Sequence, residues 1–186
     1  MRRPVRCLVV LGLAGVLVAG CGPDTHGLRP GPSVSVSASG SVSVAPSAGL
    51  SGGAGTALEA YRGMWRAYVE AIRIPDPGYP DLARYSQDDA RAVFVRGLTS
   101  VQRDGLVGQG DVTLHPKVTT IRPDASPPTA DIEDCVDTSR SHLVRQDGSP
   151  YQDTPGGNRA ATARVTRQPD GTWKVSLFAL RAVGTC

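Results

Sequence analysis

The sequence predicts an α+β domain, with N-terminal helices packed on one face of a curved, mostly antiparallel sheet. Three observations carry this. Apolar residues recur at helical spacing in two segments between Thr56 and Gly105. After Gly105 the texture changes to short runs with strand character. The two kinds of segment are segregated along the chain, which is the α+β pattern.

The first helix is expected to open at Thr56, where Thr56 and Glu59 form a T-x-x-E capping box. Leu58, Tyr61, Trp65, Tyr68 and Ile72 then follow at spacings of 3, 4, 3 and 4, one apolar stripe along a helix. Pro75 stops it, because the residue before a proline is pushed out of the helical region. Asp81–Tyr85 adds a helical turn. A second helix runs to Gly105, capped by Ser86, with Asp88 and Asp89 in its favourable first turn. Ala90, Val93, Phe94, Leu98 and Val101 make its inner face.

Strands are expected over Asp111–Ile121, broken or bulged at His115-Pro116, over Thr129–Asp137, and over Ser141–Arg145. Asn158–Gln168 and Thr172–Val183 flank Pro169-Asp170-Gly171, a hairpin turn by composition. This gives four or five strands in a domain spanning residues 56–186.

The N-terminus reads differently. Arg2, Arg3 and Arg6 precede the apolar run Leu8–Gly20, which is too short to span a bilayer. A basic start, a short apolar middle and a small-residue end describe a secretory signal peptide over residues 1–20. Val18-Ala19-Gly20-Cys21 resembles the bacterial lipobox, which implies a diacylglyceryl group on the Cys21 thiol and cleavage just before it. Two acyl chains give stable anchoring, so the membrane is the first expected partner and the outer face of the cell membrane the expected location. Residues 21–55 are the tether. Its stretch Gly22–Gly55 has 34 residues of mostly Ser, Val, Gly, Ala and Pro, without an aromatic. It alternates apolar and polar in places, but its small side chains offer too little surface to offset the ordering entropy. Its end-to-end span is about 30–35 Å. His26 lies within it and takes no role.

The formal charge of +3 comes from the three signal-peptide arginines, leaving 17 basic and 17 acidic residues. A neutral mature chain excludes nucleic acid as a partner.

"YRGMWRAYVEAIRIPDPGYPDLARYSQ", "DVTLHPKVT", "DCVD" and the closing "DGTWKVSLFALRAVGTC" together resemble the NTF2-like domains of secreted actinobacterial lipoproteins. The resemblance covers residues 56–186 and rests on element order and short segments, chiefly Trp173-Lys174-Val175. It implies a cone: a bent sheet wraps a helix and leaves a cavity at the wide end. Some such domains are dehydratases or SnoaL- and isomerase-like enzymes; many are binding or assembly modules. Fold does not decide between them.

Of four cysteines, Cys7 leaves with the signal peptide and Cys21 carries lipid, so Cys135 and Cys186 remain for a disulfide in an oxidising compartment. The bridge closes a loop of about 52 residues and is worth roughly 4 kcal/mol on the chain-entropy model. A free cysteine beside His142 is the weaker alternative.

"DIEDCVD" is the densest group of acids. Period 2 places Asp131, Glu133, Cys135 and Asp137 on one strand face, and Asp134 on the other with Ile132 and Val136. The first three acids are of the type that ligates Ca²⁺, but strand spacing provides no wrapping loop. They read as a solvated face balanced by Arg140 and Arg145, not as a metal site. Asp134, aimed at the helices, is the candidate general base, with His142 as its partner. His115 reads as a strand-end residue. No zinc, nucleophile-elbow, phosphate-loop or C-x-x-C motif occurs, and the sequence calls for no cofactor. Tyr61, Trp65 and Tyr68 are core or, in part, candidate cavity lining for an apolar ligand. The sequence favours a non-catalytic module binding a cell-envelope protein or a small apolar ligand. The alternative is an enzyme with an Asp134/His142 dyad in the cone cavity.

Overall fold

The computed structural model describes residues 48–186, with side chains from Gly53 onward. The expected signal peptide, the expected lipid anchor at Cys21 and most of the expected tether lie outside the described residues. Three helices precede six strands: α1 Ala48–Arg73, α2 Pro80–Tyr85, α3 Asp88–Arg103, β1 Leu106–Gly110, β2 Lys117–Arg122, β3 Thr129–Asp137, β4 Ser141–Arg145, β5 Asn158–Arg167 and β6 Trp173–Leu180. The domain is α+β, as its residue patterns predict. A four-stranded antiparallel sheet has the order β2-β3-β5-β6, and β1 pairs with β4 in a separate two-stranded ribbon.

The first helix starts at Ala48, not at Thr56, and so runs into the segment read as tether. Thr56 is not an N-cap, since its hydroxyl donates to the Gly53 carbonyl within the helix. The preceding turn has something to pack on: a Cβ at Gly53 would lie 3.2 Å from Ile121 Cδ1 of β2. Ser86 is likewise not the cap of α3. It ends α2, donates its hydroxyl to the Leu82 carbonyl, and is buried where the backbone forms a parallel bridge to Val175 of β6. Gln87 stands at the N-cap of α3 without a side-chain cap bond, and Asp88 and Asp89 fill the first turn. Of the expected inner face of α3, Ala90, Phe94 and Leu98 are buried, whereas Val93 is 37% exposed, at the edge of the apolar arc.

Strand β1 has no counterpart in the sequence reading. "LVGQG" looks like a loop because two of its five residues are glycine. Both are there for close approach. A Cβ on Gly108 would come within 2.6 Å of Ile72 Cγ2, so its absence lets the ribbon lie against α1. Gly110 has φ +82° and faces the Arg140 carbonyl, where no side chain fits. The ribbon takes β4 away from the main sheet, with His142 opposite Gln109.

The core lies between the helices and the inner face of the sheet. Tyr61, Met64 and Trp65 of α1 meet Ile132, Val136, Val165 and Val175 of the strands, together with Leu82, Phe94 and Leu98. Five ring–ring contacts join Trp65, Tyr68, Phe94 and Phe178 at centroid distances of 4.9–6.1 Å, mostly edge-on, the favourable arrangement for aromatic pairs.

Candidate functional site

Strand β3 alternates as its sequence requires. Ala130, Ile132, Asp134 and Val136 are buried, while Asp131, Glu133, Cys135 and Asp137 lie on the opposite, more exposed face. Asp134 is therefore a carboxylate within the core, 6% exposed.

Its surroundings explain how a carboxylate is tolerated there. Oδ2 accepts the Tyr61 hydroxyl at 3.0 Å, and Oδ1 accepts the His115 backbone N–H at 2.7 Å. The second bond follows from Pro116. The β2–β3 ladder starts at Lys117 opposite Glu133, and proline has no N–H to extend it. The chain leaves the ladder at His115, whose N–H would otherwise be unmatched, and Asp134 takes it. The expected break at His115-Pro116 is thus present, and the buried carboxylate covers it. The His115 side chain is exposed.

The tyrosine partner is buried completely. Burial drives its phenol pKa well above the ordinary value of 10.0, with the Asp134 carboxylate pushing the same way. Tyr61 is therefore a permanent donor. The nearby Trp65 indole opposes this rise by favouring the phenolate, yet its buried N–H meets no acceptor within hydrogen-bond geometry among the described residues. Tyr68 is also raised by burial, against an opposing pull from Arg159.

His142 does not join this group. It is exposed on β4, in the other sheet, and among the described residues no hydrogen bond links it to Asp134. The expected dyad fails to assemble because β4 pairs with β1. Tyr61, Trp65, Tyr68 and Asp134 do come together, as the meeting of the helix stripe and the Ile132/Val136 face requires. Tyr61, Trp65 and Asp134 are buried, Trp65 only 3% exposed, and none of the four lines a described depression.

The described surface depressions lie elsewhere. One of about 530 Å³ runs across the outer face of the sheet, lined by Asp131, Glu133, Thr162, Arg164 and Leu177 among others. Here Asp131 forms ion pairs with Arg122 at 2.7 Å and Arg164 at 2.8 Å, not with the Arg140 and Arg145 expected from proximity in the chain. Hydrogen bonding to Arg164, reinforced by Arg122, holds the Asp131 carboxyl below its ordinary value. On the same face, Cys135 and Cys186 are bonded, with Cα atoms 5.8 Å apart, at disulfide distance. The bridge ties the chain end to mid-sheet. Arg181 N–H to the Ala160 carbonyl and Gly184 N–H to the Asn158 carbonyl hold the same tail along β5.

No family model matches the sequence, and no curated protein matches it. Solved structures with similar folds exist at low identity. The intermembrane space region of the chloroplast protein ARC6 superposes with a TM-score of 0.49 at 16% identity, over 69% of this chain and 96% of that one. An NTF2-like family protein from Streptomyces avermitilis gives 0.44 at 16% identity, over 73% and 99%. A ketosteroid isomerase-like protein from Erwinia carotovora atroseptica gives 0.38 at 10%, over 68% and 93%. The α+β assignment rests on this chain's own elements.

Proposed function

We propose that this protein is a lipid-anchored extracellular binding module built on an NTF2-like domain, and not an enzyme of the cone interior. One observation carries the non-catalytic reading. Asp134, the acid placed among the core residues, uses both oxygens for structural bonds, to the Tyr61 hydroxyl and the His115 N–H. A general base must reach a substrate proton directly or through one water, and Asp134, 6% exposed and held by two donors, lines none of the described depressions.

The anchor rests on sequence. The thiol of Cys21 follows Val18-Ala19-Gly20, and no helix among the described residues is long and apolar enough to cross a membrane. Mass spectrometry of membrane-extracted protein is expected to return a diacylglyceryl peptide beginning at Cys21; a mature N-terminus elsewhere ends the anchoring reading. The filled interior has its own test. An apolar fluorescent probe added to the native protein is expected to stay dim, and bright saturable uptake abolished by Trp65→Phe would show an open ligand cavity and reverse the reading.

A further inference from the structure

A second depression lies at the other end of the sheet from the disulfide, where the middle of α1, the end of α2 and the β5–β6 turn converge. Its volume is about 730 Å³, within the range of small-molecule sites. Three cations border it: Arg66 from α1, Arg84 from α2 and Lys174 from β6. None of them forms an ion pair with a carboxylate among the described residues.

Two of the three are held in place. Lys174 Nζ donates to the Ala83 carbonyl at 2.8 Å, which leaves two of its protons for another acceptor. The Arg84 guanidinium lies over the Tyr85 ring, 5.3 Å from its centroid. That ring is itself seated: it rests on Gly63, where a Cβ would lie only 2.5 Å from ring atoms. Gly63 therefore serves to admit Tyr85. Asp170 Oδ1 accepts both the backbone N–H and the hydroxyl of Thr172, and the acid also feels the Lys174 charge, so it is engaged in its turn. Glu59 is left as an acceptor without an ion-pair partner.

The lining also includes two aromatic rings. Tyr85 and Trp173 are both half-buried and both border the depression. A flat ring beside two arginines and one carboxylate without ion-pair partners among the described residues suits a particular ligand chemistry. A purely apolar ligand would strip water from the two arginines without compensation. A bare phosphate would leave the rings and most of the volume unused. A sugar ring has an apolar C–H face to lie on an aromatic ring, and hydroxyls that donate to a carboxylate and accept from guanidinium. A carboxylate on that sugar would receive the bidentate bonding that arginine provides.

We propose that this depression is a binding site for an acidic saccharide, a short chain of carboxylate-bearing sugars. The inference deepens the reading of the protein as an anchored binding module and rests on it. Trp173 supplies the stacking surface, while Tyr85, packed between Gly63 and the Arg84 guanidinium, holds that cation in place. Arg66, Arg84 and Lys174 receive the carboxylate, and Glu59 accepts a hydroxyl.

The test is an NMR titration of the full chain in detergent micelles, following the Trp173 indole N–H. Trigalacturonic acid is the probe, with maltotriose and inorganic phosphate as comparisons. Trigalacturonic acid is expected to shift the Trp173 signal saturably while leaving the buried Trp65 signal in place. Maltotriose should bind at least about tenfold more weakly, because it lacks the carboxylate. Arg66→Gln and Arg84→Gln, both exposed and outside the core, should each weaken trigalacturonic acid by about tenfold while the fold is kept. Equal binding of maltotriose overturns the role of the carboxylate. A Trp173 shift of the same size with phosphate alone reduces the site to an anion site and overturns the saccharide. No shift with any probe, or shifts unaffected by both variants, overturns the proposal. None of these outcomes alters the mass of the N-terminal peptide, so the anchoring reading fails or stands separately.

Discussion

Asp131 and Asp134 stand three residues apart on one strand and have opposite lives. Asp131 points outward, shares solvent with Arg122 and Arg164, and owes its depressed pKa to hydrogen bonds from those guanidinium groups, Arg164 first. Asp134 points inward and is satisfied by one phenol and one backbone N–H. The odd spacing puts them on opposite faces of a pleated strand. The difference teaches that the interest of an acid in this domain lies in which donors its environment supplies. A charged partner in water contributes little, because solvent screens it. A neutral donor in the core contributes more, because leaving it unmatched there is costly.

The sharpest way to break the contrast is Asp134→Ala. It strands the Tyr61 hydroxyl and the His115 N–H without acceptors and opens a small void, so a loss of about 3–5 kcal/mol is expected in urea unfolding. Asp134→Asn keeps the shape and one acceptor oxygen and should cost less. Equal losses for the two would mean that volume, not hydrogen bonding, sets the cost.

Removal of the outer-face bridge comes next. With the bonded cysteines 51 residues apart, the paired change Cys135→Ala and Cys186→Ala should lower stability by about 2–4 kcal/mol. The tail's backbone bonds to β5 should keep the fold. A native protein that reacts with a thiol probe at Cys135 would contradict the bridge.

The inner face also has a pH signature. Tyr61 and Tyr68 keep their protons in the folded state beyond the ordinary value of 10.0, which their unfolded counterparts follow. Above that pH the unfolded chain holds fewer protons, so their contribution is full below about 10 and falls as pH rises. The slope is up to about 1.4 kcal/mol per pH unit for each tyrosine. Tyr61→Phe should flatten the alkaline limb of a melting-temperature profile; an unchanged limb would show that other groups set it.

The smallest effect belongs to Asp131. Its depressed carboxyl contributes stability above the ordinary value of 3.8, and loses it as the folded group is protonated at lower pH. Because both arginines are over 40% exposed, Asp131→Asn should cost under about 1 kcal/mol at neutral pH and reduce the acid-side loss by a similar amount. A cost matching that of Asp134→Ala would erase the distinction between the two faces.

Much of this was legible in the chain. Helical spacing marked Tyr61 and Trp65 as inward residues, and period 2 sorted "TADIEDCVD" into two faces, because both rest on the local geometry of the backbone. The hairpin at Pro169-Asp170-Gly171 and the break at His115-Pro116 follow from the torsional limits of single residues, and elimination paired Cys135 with Cys186. Only tertiary structure decided what those faces touch. Ser86 and Thr56 carry cap chemistry in the sequence, yet each spends its hydroxyl on a carbonyl of a helix whose extent is set by packing. Strand β1 was hidden by its glycines, which make sense only beside Ile72 and Arg140. His142 follows Asp134 by eight residues but belongs to another sheet, while Tyr61 lies 73 residues before it and donates to it. Periodicity is a property of one segment and can be read from it. A hydrogen-bond partner is chosen by how distant segments pair, and no local pattern encodes that choice.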